Sequence, residues 1–453
     1  MGDNVTNQPN INQTDENTVA NDLPNINGII NDEVDENVDY GYDLDDLDQG
    51  ISESEVKFAI KNLQNNKAAG LDGVSSEFLK SADDIIVPFL TKLFNKMFDN
   101  GYFPEKWSKS VIMPLHKKGD HNNPDNYRGI SLINVTSKIF TSIINRRLYK
   151  WSENENKICE EQAGFRRQFS TIDQIYTLIT IIRKCLFGPR KSKLYVVFVD
   201  YMKAFDSVNR NKLWCILKKI KTSQKMLNML KGIYNQVQCC VRWKSEISEF
   251  FDCPLGVKQG CILSPLIFSL FVNEVANAVS SNCKHGFQFR PGLKEICLLL
   301  FADDICLFST TPSGLQHQIN NLENASKAIG LKVNLSKTKV MVFRKGGFLS
   351  KHEKWYYNGE LLEVVNSYKY LGFTLSTKLS LDMALEEFSG RAKKKIVAIT
   401  KALYTLGSIN VNIFFKLFDA QVKPMLLYAS EIWGTSKFDV IESFFFFLYH
   451  PVV

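Results

Sequence analysis

The sequence predicts an α+β chain whose folded body follows a polar, acidic leader. Three observations carry that reading. Helical and strand-like apolar patterns alternate from Ser52 onward with no internal repeat, as they do when helices pack on a sheet. Two short, intensely apolar runs, 194–199 and 296–302, each meet aspartate at their ends, as buried strands do where the chain leaves a sheet. The first fifty residues are rich in Asn and Asp and offer too little apolar surface to offset ordering entropy, which predicts disorder over 1–50.

Composition narrows the function classes. The 453 residues are 45% hydrophobic and 23% charged, enough for two or three packed units around a sizeable core. Near-average Gly and Pro exclude a collagen-like chain. Acid and amide groups stand where a signal peptide needs a basic and then an apolar region. The central apolar run is broken by two adjacent aspartates and falls short of the roughly 18 uncharged residues of a membrane span, so no membrane partner is expected. Ten cysteines without a CxxC pair, and six scattered histidines, fit a reduced intracellular chain without structural zinc, in nucleus or cytoplasm.

The net charge of +7 conceals a sharp division. Residues 1–56 contain 15 Asp and Glu and no Lys or Arg, which leaves 55 basic against 33 acidic residues over 57–453. A body carrying +22 is the electrostatic footprint of a phosphate-rich partner.

The elements follow in order. Ser52 and Glu55 form a capping box, and Val56, Ile60 and Leu63 recur at helical spacing until Gly70. Gly70 and Gly73 allow a sharp turn, with Asp72 placed to cap the next helix. Leu194 to Val199 reads as a buried strand ending at Asp200, and Asp206 lies near the start of a following helix. Ser264-Pro265 reads as an N-cap followed by proline at the first helical position. The segment 295–310 reads as two strands joined by a tight turn with Asp303 and Asp304 at its tip. Helical character returns from Lys393 to about Ala429, and four consecutive phenylalanines near the end have no polar face of their own.

An isolated Asp-Asp pair is usually a polar turn. Between greasy strands the pair repels itself, and one group is driven to protonate unless cations compensate. Hard oxygen ligands suit Mg²⁺, with Mn²⁺ as a substitute. Asp200 beside Asp303 and Asp304 would complete a carboxylate site for two ions about 3.5–4 Å apart, which align a hydroxyl with a phosphate.

FVDYMKAFD, followed about a hundred residues later by FADD, resembles the two palm motifs of reverse transcriptases, in particular those of non-LTR (LINE-like) retrotransposons. The resemblance runs from about Val56 to Gly434. It implies a right-hand polymerase with fingers and palm over 51–375 and a thumb-side helical segment over 376–453, cut short. It further implies an RNA template, a DNA primer and deoxynucleotide triphosphates as partners, with two Mg²⁺ held by Asp200, Asp303 and Asp304; oligomeric state is left open. By the same resemblance Lys117, Lys118 and Arg128 face the triphosphate. Phe205 lies under the incoming sugar, Gln259-Gly260 under the base pair, and Lys337 protonates the leaving pyrophosphate. Arg166 and Arg167 contact the template, while Tyr370, Leu371 and Gly372 support the primer terminus. No nuclease domain or zinc knuckle is visible, so the sequence reads as a fragment of an element-derived open reading frame. Two other readings stay open at this point: an inactive nucleic-acid-binding remnant, and an intron maturase-like reverse transcriptase.

The charge division generates a first prediction. Nucleic-acid affinity falls steeply with salt through counterion release, and deleting residues 1–50 leaves it unchanged or tightens it. Filter binding across a salt series checks this, and a marked weakening on deletion would contradict it.

Overall fold

A computed structural model describes residues 45–189, 191–407 and 410–449. In chain order its principal elements are α1 (Glu53–Lys61), β1 (Lys109–His116), β2 (Tyr127–Leu132), α2 (Val135–Asn154), α3 (Thr171–Phe187), β3 (Leu194–Val199) and β4 (Gln238–Trp243). There follow α4 (Ser264–Ser281), β5 (Leu298–Phe301), β6 (Asp304–Ser309), α5 (Pro312–Ile329), β7 (Lys339–Phe343), β8 (Glu363–Val365), β9 (Ser367–Tyr370), β10 (Phe373–Ser376) and α6 (Asp382–Thr405). The α+β class is the one the sequence predicts.

Strand β3 is apolar at every position, so it needs cover on both faces and partners on both edges. It has all four. The central sheet runs β8-β7-β3-β6-β5, with β3 antiparallel to both neighbours, Val197 lying opposite Leu307 on one side and Val340 on the other. Alternation sends Tyr195, Val197 and Val199 into one apolar cluster with Phe268 of α4 and Leu315 of α5. Leu194, Val196 and Phe198 enter a second cluster with Ile175 and Leu178 of α3 and Phe373 of the β9–β10 hairpin. Full burial of such side chains stabilises by about 1.5–3 kcal/mol each. A smaller sheet orders β2-β1-β4, antiparallel across β1–β2 and parallel across β1–β4.

Helix α1 starts as read: Ser52 accepts from the Glu55 amide while Glu55 accepts from the Ser52 amide. Two cap assignments move. Ser75 caps the helix Ser76–Ser81, and the Asp72 carboxylate accepts from the Val74 amide at 3.2 Å in a turn before it. Ser264 is the first helical residue of α4 and its hydroxyl bonds the Tyr234 hydroxyl at 3.1 Å, so it is a core group with Leu263 as the cap.

The leader needs correction at its end. Residues 45–50, expected to be disordered, include a short helix Asp45–Asp48 with Leu47 buried at 2% exposure. The reason lies in a distant side chain. Arg147 of α2 is buried and donates to the carbonyls of Gln49 and Gly50, and to both Glu55 oxygens at 2.9 and 2.7 Å. A buried guanidinium requires such acceptors, and Leu47 with Ile51 supplies the apolar seal. The remainder of the expected disordered segment, 1–44, lies outside the described residues. At the other end Phe444 is fully buried among Ala392, Ile396 and Leu403 of α6, so the phenylalanine run is covered at its first member. Among the described residues no helix is long and apolar enough to cross a membrane.

Arg147→Met should destabilise the protein by about 3–5 kcal/mol, because Glu55 and two carbonyls lose their donor together. Burial pushes the Glu55 carboxyl up, yet the hydrogen bonds from Arg147 and Ser52 outweigh it and hold the group below its ordinary 4.5. Its contribution is therefore complete above that value and fades as pH falls through the lower native value. Urea titration at pH 7 and pH 3 checks both parts: the gap between wild type and variant narrows at the acid end.

Candidate active site

Asp200 is carried out of the core by β3 and fixed by its own backbone. Its amide donates to the Thr338 hydroxyl at 3.3 Å and its carbonyl accepts from the Asn334 amide at 2.7 Å. The Oδ2 oxygen is buried and has no hydrogen-bond partner; the nearest cation is the Lys337 ammonium, 3.3 Å away as an ion pair. Lys337 sits on the same Asn334–Thr338 turn, so one loop positions both groups.

Next to β3, the β5–β6 hairpin turns through two residues, Ala302 and Asp303, with Phe301 opposite Asp304. Asp303 is thus in the turn and Asp304 opens β6, one step below the tip predicted for both. Ala302 takes a left-handed φ of 60°, which costs an alanine about 1–2 kcal/mol. The electrostatics bind the three acids together. Burial raises the Asp303 carboxyl and nearby Asp200 raises it further, against the pull of Arg128 and Lys337. Asp304 is pushed up to about 6, first by desolvation, then by Asp303 and Asp200.

Asp200 lies near enough to act on Asp303 and Asp304, and their oxygens are ligands of the type a hard divalent cation takes. Among the described residues no three acidic, imidazole or thiol groups converge on a single point.

Around this centre the predicted residues divide. Arg128, on β2 opposite Leu115, is exposed and near enough to Asp303 to lower its pKa; Lys117 and Lys118 are exposed at the β1–β2 turn. Phe205 is half-buried, stacked on Phe268 at 4.3 Å and edge-on to the exposed Phe165 at 6.1 Å. Gln259 donates to the Asp206 carboxylate at 2.8 Å and accepts at its carbonyl from Ser131. Gly260 has φ 111°, and a Cβ there would meet the Ser131 carbonyl oxygen at 2.8 Å. Its φ and the close approach of Ser131 both call for glycine at this position.

Two assignments are corrected. Arg166 pairs with both Glu153 oxygens at 3.0 and 2.7 Å and donates to the carbonyls of Cys159 and Gln162, so its guanidinium is spent within the fold. Its neighbour Arg167 remains exposed, lying over the Tyr149 ring. Tyr370 is 3% exposed with its ring against Phe198, so it supports the β9–β10 hairpin from within the core. Leu371 and Gly372, with φ 46° and 87°, form the two-residue turn at the hairpin tip. Sequence reasoning missed Thr338, the Asp206–Gln259 bond, and Gln162, whose amide bonds Ala302. For Gln162 a signal existed: it precedes Ala-Gly, the small residues that close backbone approach demands.

Residues 115–375 match the model of the reverse transcriptase (RNA-dependent DNA polymerase) family, more than half of the chain. The chain belongs to that family. The probable RNA-directed DNA polymerase from transposon BS of Drosophila melanogaster is 27% identical over 391 residues, covering 85% of this chain and 42% of that protein. The RNA-directed DNA polymerase from mobile element jockey of the same organism is 24% identical, covering 85% and 41%. The Pol polyprotein of a type-1 retrotransposable element R2 from Nasonia vitripennis is 26% identical over 64% of this chain. These relatives bear out the non-LTR type read from the palm motifs, and the maturase-like alternative is not favoured. The chain spans about two fifths of the length of the first two relatives. An apo telomerase structure from Candida tropicalis overlaps 64% of this chain and 60% of its own at 14% identity and a TM-score of 0.43, too loose a likeness to carry an argument.

Proposed function

We propose that this reverse-transcriptase-family chain extends a DNA primer 3′-end with deoxynucleotides along an RNA template. One observation carries the reading: the buried Oδ2 of Asp200, countered by the Lys337 ion pair alone, lies in range of Asp303 and Asp304 between apolar strands. Such a grouping is unstable in isolation and is relieved by divalent cations. Asp200 and Asp303 would hold two Mg²⁺, or Mn²⁺ in their place, with Asp304 contributing mainly charge. Bound there, the ions lower the pKa of the attacking hydroxyl and neutralise the charge that develops on the transferred phosphate.

The chain's own residues do the rest. Arg128, with Lys117 and Lys118, binds the triphosphate oxygens; the planar fork of arginine suits two of them at once. Lys337 holds a proton at Nζ for the departing pyrophosphate. Phe205 orients the sugar, and Gln259, fixed by Asp206, lies beneath the base. Arg167 takes template phosphates, and the Leu371-Gly372 turn meets the primer end. The body then divides into fingers and palm, with residues 45–50 built into it, up to 375 and a thumb-side helical segment beyond.

Asp303→Asn should reduce primer extension on a homopolymer RNA by at least a hundredfold, about 2.7 kcal/mol or more, with template binding and melting temperature nearly unchanged. A variant retaining more than about a tenth of the wild-type rate would refute the assignment.

Sugar discrimination tests Phe205 separately. A ring packed under the sugar leaves no volume and no hydrogen-bond partner for a 2′-hydroxyl, a penalty of about 1–3 kcal/mol. Phe205→Val should raise ribonucleotide relative to deoxynucleotide incorporation by about tenfold or more. Its stack on Phe268 gives the variant a stability cost as well, so the ratio of the two kcat/KM values is the deciding measurement. An unchanged ratio assigns the ring to the core alone.

A further inference from the structure

The turn that carries Asp303 is held in a shape that alanine disfavours, and the hold comes from outside the palm motifs. Gln162 is 1% exposed. Its Oε1 accepts from the Ala302 amide at 2.9 Å and from the Gly164 amide at 2.7 Å, while its Nε2 donates to the Ala302 carbonyl at 3.3 Å. One side chain therefore takes both backbone groups of the left-handed residue that precedes Asp303. The segment bearing it lies against β5: the Ala163 amide donates to the Leu300 carbonyl, and the Leu300 amide to the Glu161 carbonyl, each at 2.9 Å. Contact is so close that a Cβ on Gly164 would lie 2.1 Å from the Ala302 nitrogen. From behind, Arg166 donates to the Gln162 carbonyl at 3.2 Å and is itself locked by Glu153.

Physical chemistry gives this arrangement a purpose. A two-residue turn with a left-handed alanine has cheaper alternatives, and each of them moves the next side chain, which is Asp303. Burying a glutamine amide is costly unless its bonds are made, so the site invests a polar group in one geometry. A carboxylate that must share ions with Asp200 tolerates little displacement, and a misplacement of about 1 Å is enough to cost a hundredfold in rate.

We propose that Gln162 is a positioning residue, which clamps the Ala302–Asp303 turn so that the Asp303 carboxylate is aimed toward Asp200. It touches neither substrate nor ion. The inference rests on the polymerase reading for its kinetic consequence and on the hydrogen bonds alone for its structural one.

The test compares wild type, Gln162→Met and Gln162→Met/Ala302→Gly by melting temperature, exchange of the Ala302 amide proton, Mn²⁺ binding, and primer extension. Gln162→Met keeps the volume and removes the bonds. It should speed exchange at Ala302 and weaken Mn²⁺ binding, each by about tenfold, and lower kcat by a similar factor with KM for primer–template unchanged. Glycine adopts a positive φ without penalty, so adding Ala302→Gly should restore much of the Mn²⁺ affinity and kcat. Loss of plain core packing would show no such rescue, and its absence overturns the proposal. So do wild-type exchange and wild-type Mn²⁺ affinity in Gln162→Met. If Gln162→Met fails to fold, Gln162→Glu, which keeps the acceptor but not the donor, should give intermediate values, and wild-type values there overturn the proposal equally. If wild type extends no primer, the polymerase reading fails, and exchange with Mn²⁺ binding still decides the role of Gln162.

Discussion

Like charges held close together in an apolar frame are the constraint from which the rest of the structure follows. Three aspartates at the ends of buried strands repel one another, and each strand exposes them only because its apolar residues are satisfied elsewhere. That requirement explains why β3 is flanked on both edges and covered on both faces. A strand with one open edge would slip or tilt, and a shift of one residue would turn Asp200 to the opposite face. The cost of the acid cluster is met by the apolar clusters on the two sides of the sheet.

Second contacts then fix what the strands deliver. Asp200 is held through its main chain by Thr338 and Asn334, and its carboxylate meets no hydrogen-bond donor at Oδ2 beyond the Lys337 ion pair. Gln259 is held by Asp206, the residue next to Phe205, so one hydrogen bond ties these two segments together. The Tyr428 hydroxyl donates to the Leu371 carbonyl at 2.6 Å and contacts the Thr171 hydroxyl at 3.0 Å, tying the C-terminal helices to the β9–β10 tip. These are single bonds at precise points, unlike the broad burial that supports the strands.

That difference explains what the sequence revealed. Burial is written in local pattern: the apolar run 194–199, the alternating capping signals at Ser52, and the FADD turn between greasy strands were all legible. Partner choice is not. Arg166 and Arg167 are chemically equivalent neighbours, yet one is spent on Glu153, thirteen residues away, while the other faces solvent. Tyr370 is expected at the primer terminus by resemblance, yet its ring is buried in the core. The close approach of Ser131, which also requires glycine at 260, comes from a strand about 130 positions upstream. Residues 45–50 carry too little apolar content to announce order, because the group that orders them, Arg147, is about a hundred positions downstream.

The order of strands in the central sheet has a consequence for how the protein comes into being. During synthesis β3 emerges long before its partners: roughly a hundred residues separate it from β6, and some 140 from β7, at about 5–20 residues per second. For many seconds the ribosome thus presents a naked Leu-Tyr-Val-Val-Phe-Val segment, the kind of sequence that seeds intermolecular β-pairing. Helix α3, made just before it, is the one cover available early, through the face that buries Ile175, Leu178 and Ile182. The carboxylates can meet once β6, which pairs directly with β3, has left the tunnel, while the other edge of β3 waits some thirty residues longer for β7.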